Sequence, residues 1–235
     1  MIRALLFDVF GTLVDWRGGI ARETREILAP LGISIDWHAF ADAWRAQYQP
    51  AMEEVRAGRI PFSKLDVLHR RNLDIVIRDF GLAKVDEATR AKLNLAWHKL
   101  DAWPDVPQGL ALLRPKFRLA PCSNGNISIM ADLARRNGFV WDAILGAEIA
   151  RDYKPKPSVY TASADAFDCA PHEAMMVAAH SSDLAAAASA GLRTAFVARP
   201  DEAGPGRGEA KASVPVDVSA SSLVELAARL GDGRS

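Results

Sequence analysis

The chain has 235 residues, of which 49% are hydrophobic, and its 29 basic and 29 acidic residues give a formal net charge of zero. This length allows one large hydrophobic core and a second, smaller one. No basic stripe of the kind that follows nucleic-acid phosphates is present, so we expect no nucleic-acid partner. Apolar stretches are no longer than a strand, and the chain runs from Met1 straight into one of them, so we expect neither a membrane span nor a signal peptide. The two cysteines, Cys122 and Cys169, are typical of buried thiols in a reducing compartment, and we expect a cytoplasmic protein.

The first predicted element is a strand at residues 4–7, where the apolar run Ala-Leu-Leu-Phe is continuous and does not alternate. A continuous run is typical of a central parallel strand that is covered on both faces. Asp8 follows this strand directly, and Gly11 with Thr12 then predicts a turn. In open α/β sheets the chemistry lies beyond the carboxyl ends of the strands, so Asp8 is a candidate nucleophile. The alternative is that Asp8 only caps the turn.

A run of predicted helices follows the first strand. Their periodicity places them at residues 20–31, 37–57, 63–79 and 86–100. We expect these helices to form a cap domain, residues 15–100, that is inserted into the core.

From residue 101 onward, predicted strands alternate with predicted helices. The strands lie at residues 118–122, 143–145, 174–179 and 194–198, and the helices at residues 108–114, 128–137, 158–167, 184–191 and 221–230. This alternation predicts an α/β fold with a doubly wound, Rossmann-like parallel sheet. The core domain then consists of residues 1–14 and 101–235. A loop at residues 199–214, rich in Gly, Pro and charge, precedes the last helix.

Three further polar segments follow later predicted strands: Ser123-Asn124-Gly125, the segment around Lys154, and His180-Ser181-Ser182-Asp183. Ser123-Asn124-Gly125 offers a hydroxyl and backbone N–H groups for an anion, although this triplet is also a common turn. A lone lysine such as Lys154 is more often solvated surface.

These segments and Asp8-Val9-Phe10-Gly11-Thr12 resemble, in order, the motifs of the haloacid dehalogenase superfamily, in which the first Asp forms a covalent ester with the substrate. Most members are phosphatases with a second Asp two positions later, as general acid, and further acids that hold magnesium. This chain has Phe10 and Ala179 where two of these acids would stand. A phenyl ring cannot protonate an alkoxide, whereas a halide leaves without a proton. We therefore predict no metal and no other cofactor.

Within the superfamily the chain resembles most the metal-independent (S)-2-haloacid dehalogenases. The segment AWRAQY that contains Trp44 and Arg45 is similar to a cap-helix segment of that family, whose Arg helps to bind the departing halide. A guanidinium suits this role because it is always charged and offers several fixed donors. Without the resemblance, Arg45 would be a surface residue and Trp44 and Tyr48 would be core. Phe10, Leu13, Trp44 and Tyr48 are candidates for the pocket walls.

The resemblance implies that Lys154 reaches Asp8 and keeps it ionised by opposite charge. It also implies a displacement followed by ester hydrolysis. Asp8 attacks the halogen-bearing C2 while Arg45 and Asn124 stabilise the halide. Water activated by Asp183, with Lys154 or His180, then hydrolyses the ester to an (R)-2-hydroxy acid. The residues implied in binding substrate or halide are Thr12, Arg45, Ser123, Asn124, Phe10 and Tyr160.

The fourth motif departs from the family pattern Ser-Ser-Asn-Ala-Trp-Asp, because this chain has Ala-Ala-His-Ser-Ser-Asp at residues 178–183. His180 could replace a hydrogen bond, orient the water or act as base, or it could be a satisfied histidine without a catalytic role. The resemblance also implies a homodimer. A phosphatase, another metal-independent hydrolase and a non-catalytic small-acid binding protein remain as alternatives, and the halogen, the chain length of the acid and the physiological substrate stay open.

Overall fold

The computed structural model describes residues 1–231; residues 232–235, which the sequence assigns to the core domain, lie outside the described residues. The strands are β1 (Ala4–Phe7), β2 (Arg118–Ser123), β3 (Leu145–Gly146), β4 (Ala174–Ala178), β5 (Arg193–Val197) and β6 (Val218–Ala220). They form one six-stranded sheet in the order β3-β2-β1-β4-β5-β6, and every neighbouring pair is parallel. The predicted doubly wound parallel sheet is confirmed, and β1 lies near its centre.

Five α-helices lie within residues 15–100: α1 (Trp16–Leu28), α2 (Trp37–Ala46), α3 (Tyr48–Arg56), α4 (Leu65–Asp79) and α5 (Glu87–Asn94). The remaining helices are α6 (Val106–Leu113), α7 (Ile127–Asn137), α8 (Ala147–Ala150), α9 (Pro157–Asp165), α10 (Ser181–Ser189) and α11 (Leu223–Gly231). A helical cap inserted after β1 is therefore present, while its exact limits at residues 15 and 100 stay a prediction.

Several elements differ from the sequence expectation: the helix predicted at 86–100 ends at Asn94, α8 was not predicted, and three further differences have a local cause. The predicted helix at 37–57 is two helices, because Pro50 has no N–H and its ring would clash with the carbonyl of Ala46 in a continuous helix. Helix α1 starts at Trp16 and not at residue 20, because the Asp15 carboxylate caps it by accepting from the Gly18 N–H at 2.8 Å. Strand β6 was not predicted, since three residues carry too short a pattern.

The alternating residues of β1 enter two separate cores, one on each face of the sheet. Leu5 and Phe7 belong to a cluster that continues into the inserted helices through side chains such as Trp44, whereas Ala4 and Leu6 belong to a smaller cluster with α9 and α10. This burial on both faces explains the continuous apolar run of β1. The two free cysteines are buried, as predicted.

The parallel sheet brings the ends of β1, β2 and β4 together. Asp8 follows β1, Ser123 ends β2, and His180 follows β4 as the residue that precedes α10. The helices of the cap lie over this edge, where Phe10 packs edge-on against Trp97 at 5.5 Å between ring centroids. No helix among residues 1–231 is long and apolar enough to cross a membrane.

Candidate active site

Asp8 is a buried carboxylate whose two oxygens are held by different partners. Its Oδ1 accepts a hydrogen bond from Lys154 Nζ at 2.9 Å, and its Oδ2 accepts one from the Thr12 hydroxyl at 2.7 Å. Thr12 is fixed in turn because its oxygen accepts from the Ala179 N–H at 2.9 Å. Burial would raise the pKa of Asp8, but the positive charges of Lys154 and His180 lower it well below its ordinary value. Asp8 is therefore ionised, as a nucleophile requires.

Lys154 lies between two carboxylates. Its Nζ donates to Asp183 Oδ2 at 2.6 Å as well as to Asp8, and its side chain is 8% exposed. Burial lowers the pKa of Lys154, but Asp183 and Asp8 outweigh it and raise the pKa well above its ordinary value. The other oxygen of Asp183 accepts from the Tyr160 hydroxyl at 2.6 Å. Lys154 and Asp183 thus form one hydrogen-bonded network with Asp8.

His180 joins Asp8 to an acidic residue that the sequence analysis missed. Its Nδ1 lies 3.1 Å from Asp8 Oδ2, and its Nε2 lies 2.8 Å from Glu202 Oε2. Glu202 also accepts from Trp16 Nε1 at 2.9 Å. Burial lowers the pKa of His180, but Asp8 and Glu202 raise it to about 10, so the imidazole is protonated in the resting protein. Glu202 lies in the charged loop after β5, and nothing in its local sequence indicates that it reaches His180.

A cleft of about 630 Å³ opens above Asp8 between the sheet edge and the cap. Phe10, Arg45, Tyr48 and Asn124 line it together with Asp8. The Arg45 guanidinium stacks over the Tyr48 ring at 4.1 Å, and its Nη1 is buried without a hydrogen-bond partner among residues 1–231. A buried, unpartnered guanidinium N–H is suited to an anion.

The other residues named from the sequence take different places. Ser123 is fully buried, and its hydroxyl accepts from the Gly125 N–H at 3.0 Å. Tyr160 contacts Asp183 and does not line the cleft. Leu13 and Trp44 are fully buried and do not line the cleft either.

The donors at this site do not fit a magnesium ion. Lys154 Nζ occupies the space between the two carboxylates, and Phe10 and Ala179 offer no oxygen side chain. Across residues 1–231, no group of three or more His, Cys, Asp and Glu side chains is arranged to hold a metal.

Comparisons with known proteins agree with this arrangement. A family model described as haloacid dehalogenase-like hydrolase matches residues 2–191. The chain is 29% identical over 201 residues to the (S)-2-haloacid dehalogenase of Xanthobacter autotrophicus, covering 85% of this chain and 76% of that protein. It is 27% identical over 202 residues to (S)-2-haloacid dehalogenase 1 of Pseudomonas sp. (strain CBS-3), covering 84% of this chain and 85% of that protein.

Two solved structures share nearly the whole fold. The L-2-haloacid dehalogenase PA0810 is 43% identical, with a TM-score of 0.95, and 99% of this chain and 100% of that chain are covered. The defluorinating L-2-haloacid dehalogenase Rha0230 is 43% identical, with a TM-score of 0.95, and 98% of this chain and 95% of that chain are covered. The resemblance that the motifs indicated is confirmed: the chain belongs to the haloacid dehalogenase-like hydrolases.

Proposed function

We propose that the protein is a hydrolase acting on carbon–halide bonds, which converts short (S)-2-haloalkanoic acids into (R)-2-hydroxy acids and halide. The observation that carries this proposal is a buried, ionised Asp8 beneath a cleft in which Arg45 Nη1 has no partner among residues 1–231. In this proposal the Asp8 carboxylate attacks the carbon, and the Arg45 guanidinium receives the departing halide. The (S)-2-haloacid dehalogenases and L-2-haloacid dehalogenases among the relatives support the same reaction.

Asp8 is proposed as the nucleophile through Oδ1. This oxygen accepts one hydrogen bond, from Lys154, whereas Oδ2 faces both Thr12 and His180. Oδ1 therefore keeps a lone pair for C2. Attack breaks the carbon–halogen bond, the electron pair leaves with the halide, and Asp8 becomes a neutral ester.

Arg45 and Asn124 are proposed to hold the halide. Both residues line the cleft. The side-chain oxygen of Asn124 already accepts a hydrogen bond from the backbone N–H of Lys154 at 2.9 Å, so the NH₂ group of Asn124 is left to donate. Donors placed where charge develops lower the barrier most in a site that excludes water. Phe10 and Tyr48 supply the apolar wall for the carbon chain.

The phosphatase alternative lacks its acid. Phe10 stands where the leaving alkoxide of a phosphate ester would need a proton, and Phe10 and Ala179 offer no carboxylate to a metal. The binding-protein alternative gives no role to the short contacts from Lys154 to Asp8 and Asp183.

The proposal is tested by halide release from the separate enantiomers of 2-chloropropionate in EDTA. Chloroacetate and fluoroacetate are included, the latter because one structural relative is described as defluorinating. We expect release from the (S)-enantiomer only, abolished in Asp8→Asn. Equal release from both enantiomers, or none from any substrate, contradicts the proposal, and phosphate release from a phosphate ester would favour the phosphatase.

We also propose that the enzyme is a cytoplasmic homodimer. The family resemblance and the two free, buried thiols, Cys122 and Cys169, support this. Light scattering on the purified protein is expected to give twice the chain mass of 25.5 kDa. A mass of one chain at micromolar concentration contradicts the dimer.

A further inference from the structure

Arg56, the last residue of α3, reaches from the cap to the backbone of Lys154. Its Nη1 donates a hydrogen bond to the carbonyl oxygen of Lys154 at 2.8 Å, although the two residues are 98 positions apart in the sequence. Both residues line the cleft. The contact therefore joins the inserted helices to the residue that separates Asp8 from Asp183.

The guanidinium of Arg56 is itself fixed by residues of its own helix. Its side chain is 10% exposed, and its Nε donates to Glu53 Oε2 at 2.8 Å. Its Nη2 donates to the backbone oxygen and to the side-chain oxygen of Gln49, each at 3.3 Å. A guanidinium holds its donors in one rigid plane. The contacts with Glu53 and Gln49 therefore also fix the direction of Nη1, which is aimed at Lys154.

The backbone around Lys154 is held by the cap and by the core. The N–H of Lys154 donates to Asn124 Oδ1, directly after β2, at 2.9 Å. The preceding residue, Tyr153, is fully buried, and its hydroxyl donates to the carbonyl oxygen of Ser63, between α3 and α4, at 2.6 Å. Two consecutive residues thus contact the cap at Ser63 and Arg56 and the core at Asn124.

The ammonium of Lys154 has little freedom of position. It lies 2.9 Å from Asp8 Oδ1 and 2.6 Å from Asp183 Oδ2, and all three side chains are at most 10% exposed. A lysine ammonium stands at the end of a flexible four-carbon stem, so its backbone has to be fixed before the charge is placed accurately. The contact from Arg56 fixes that backbone on the side of the cap.

We propose that Arg56 is a positioning residue of the reaction: it holds the backbone of Lys154 from the cap, so that the ammonium stays between Asp8 and Asp183 while Asp8 attacks C2. The inference rests on the proposed dehalogenase function and deepens it. Arg56 does not bind the substrate, because its Nε, Nη1 and Nη2 all have partners within the protein. Arg45, whose Nη1 has no partner among residues 1–231, remains the guanidinium for the halide.

The release of the first halide measures the step in which Lys154 holds Asp8. In rapid-quench experiments with (S)-2-chloropropionate at saturating concentration, we expect Arg56→Met to slow this release by about tenfold to a hundredfold, because small displacements at a reacting centre are costly. The substrate concentration that gives half the maximal rate should change by less than about threefold, since no substrate contact is removed. The matched control is Arg59→Met, an exposed residue just after α3, which should leave both values unchanged.

Amide hydrogen exchange tests the positioning independently of activity. The N–H of Lys154 is bonded to Asn124, and Pro155 and Pro157 leave few other amides in a peptide that covers this segment. We expect the amides of this peptide to exchange faster by about fivefold or more in Arg56→Met, while peptides from β4 keep their exchange rates. Faster exchange in β4 as well would be general destabilisation and would overturn the inference.

A milder variant decides the question if Arg56→Met does not fold. Arg56→Lys keeps the positive charge but has a single side-chain nitrogen, which cannot contact Lys154, Gln49 and Glu53 in the way that the planar guanidinium does. We expect Arg56→Lys to show the same two changes at a smaller size: a slower first halide at saturating substrate, and faster exchange confined to the Lys154 peptide. An Arg56→Lys protein that matches the unaltered protein in both measurements overturns the inference.

Failure of the inference and failure of the proposed function are distinguishable. No halide from the unaltered enzyme refutes the dehalogenase proposal, and hydrogen exchange then still decides whether Arg56 holds the Lys154 segment. An unchanged rate of the first halide in folded Arg56→Met overturns the inference. A raised half-saturating concentration with an unchanged maximal rate also overturns it, because Arg56 would then bind the substrate. So does an unchanged exchange rate of the Lys154 peptide.

Discussion

Replacement of Lys154 by methionine is expected to destabilise the protein strongly. Methionine keeps a long, unbranched side chain but removes the charge that separates Asp8 from Asp183. The two N···O distances are 2.9 and 2.6 Å, and all three side chains are at most 10% exposed. The substitution therefore leaves two neighbouring carboxylates in a buried site.

The magnitude follows from the burial of the network. Two unit charges 4 Å apart attract by about 4 kcal/mol at an effective dielectric constant of about 20, and both pairs here are closer. Desolvation offsets much of this attraction, so the intact network adds less than the Coulomb energy suggests. Removal of one partner leaves the desolvation cost in place, and we expect a loss of about 3 to 5 kcal/mol in the free energy of unfolding. This is a large part of the roughly 5 to 15 kcal/mol by which proteins are stable.

Urea unfolding at pH 8 and at pH 5 checks this prediction, with Lys156→Met as the control. Lys156 is an exposed neighbour on the same segment, so its substitution is expected to change stability by no more than about 0.5 kcal/mol. The deficit of Lys154→Met should narrow at pH 5, because protonation of one carboxyl group relieves the repulsion. A deficit below about 1 kcal/mol, or one equal to that of Lys156→Met, would refute the reasoning.

Three further predictions concern the hydroxyl at the nucleophile, a histidine between cap and core, and metal ions. Thr12→Val leaves the Ala179 N–H without its acceptor and removes a hydrogen-bond donor from Asp8. It should lower the free energy of unfolding by about 1 to 3 kcal/mol and slow the release of the first halide, whereas Thr12→Ser keeps both hydrogen bonds. Equal stability and equal rates in the two variants would contradict this prediction. Burial lowers the pKa of His98, but its contacts with Asp66 and Asp132 outweigh burial and raise the pKa above its ordinary value of 6.5. The contribution of His98 to the free energy of unfolding is therefore fully present below pH 6.5 and is lost as the pH rises through the folded-state pKa. In urea titrations, the difference in the free energy of unfolding between the unaltered protein and His98→Asn should therefore shrink from pH 6 to pH 9. A difference that stays constant over this range would contradict the prediction. Halide release should be the same in EDTA and in added magnesium, and a rise with magnesium would show that an ion enters beside Asp8.

The motif residues other than Lys154 were predictable because each follows or stands beside a recognisable strand end. The apolar run of β1 indicates a central strand, and a carboxylate directly after it lies at the edge where parallel sheets carry their chemistry. Lys154 could be named only through the family resemblance, since a lysine in a loop has no local feature that points inward. Its short contacts with Asp8 and Asp183 depend on the packing of α9 and α10.

Glu202 shows why the rest of the site was not predictable. It is 194 residues from Asp8 in the sequence, yet one imidazole connects the two, and the loop that carries it reads as exposed. The contact with Glu202 also changes the interpretation of His180. From the sequence, His180 could have been a hydrogen-bond donor, a base or a histidine without a catalytic role. One carboxylate on each side of the imidazole, Asp8 and Glu202, raises the pKa of His180 and makes the ring a cation in the resting protein.

The sequence by itself determined the α/β class, the parallel sheet, the helical insertion and the place of Asp8 at a strand end, because hydrophobic periodicity and strand-end position are local properties. It also indicated that a phosphatase would lack its acid, since Phe10 is visible in the motif. Only the tertiary structure decided which charges meet. Coulomb interactions and hydrogen bonds depend on distances of a few ångströms between residues far apart in the chain, and no local pattern encodes those distances.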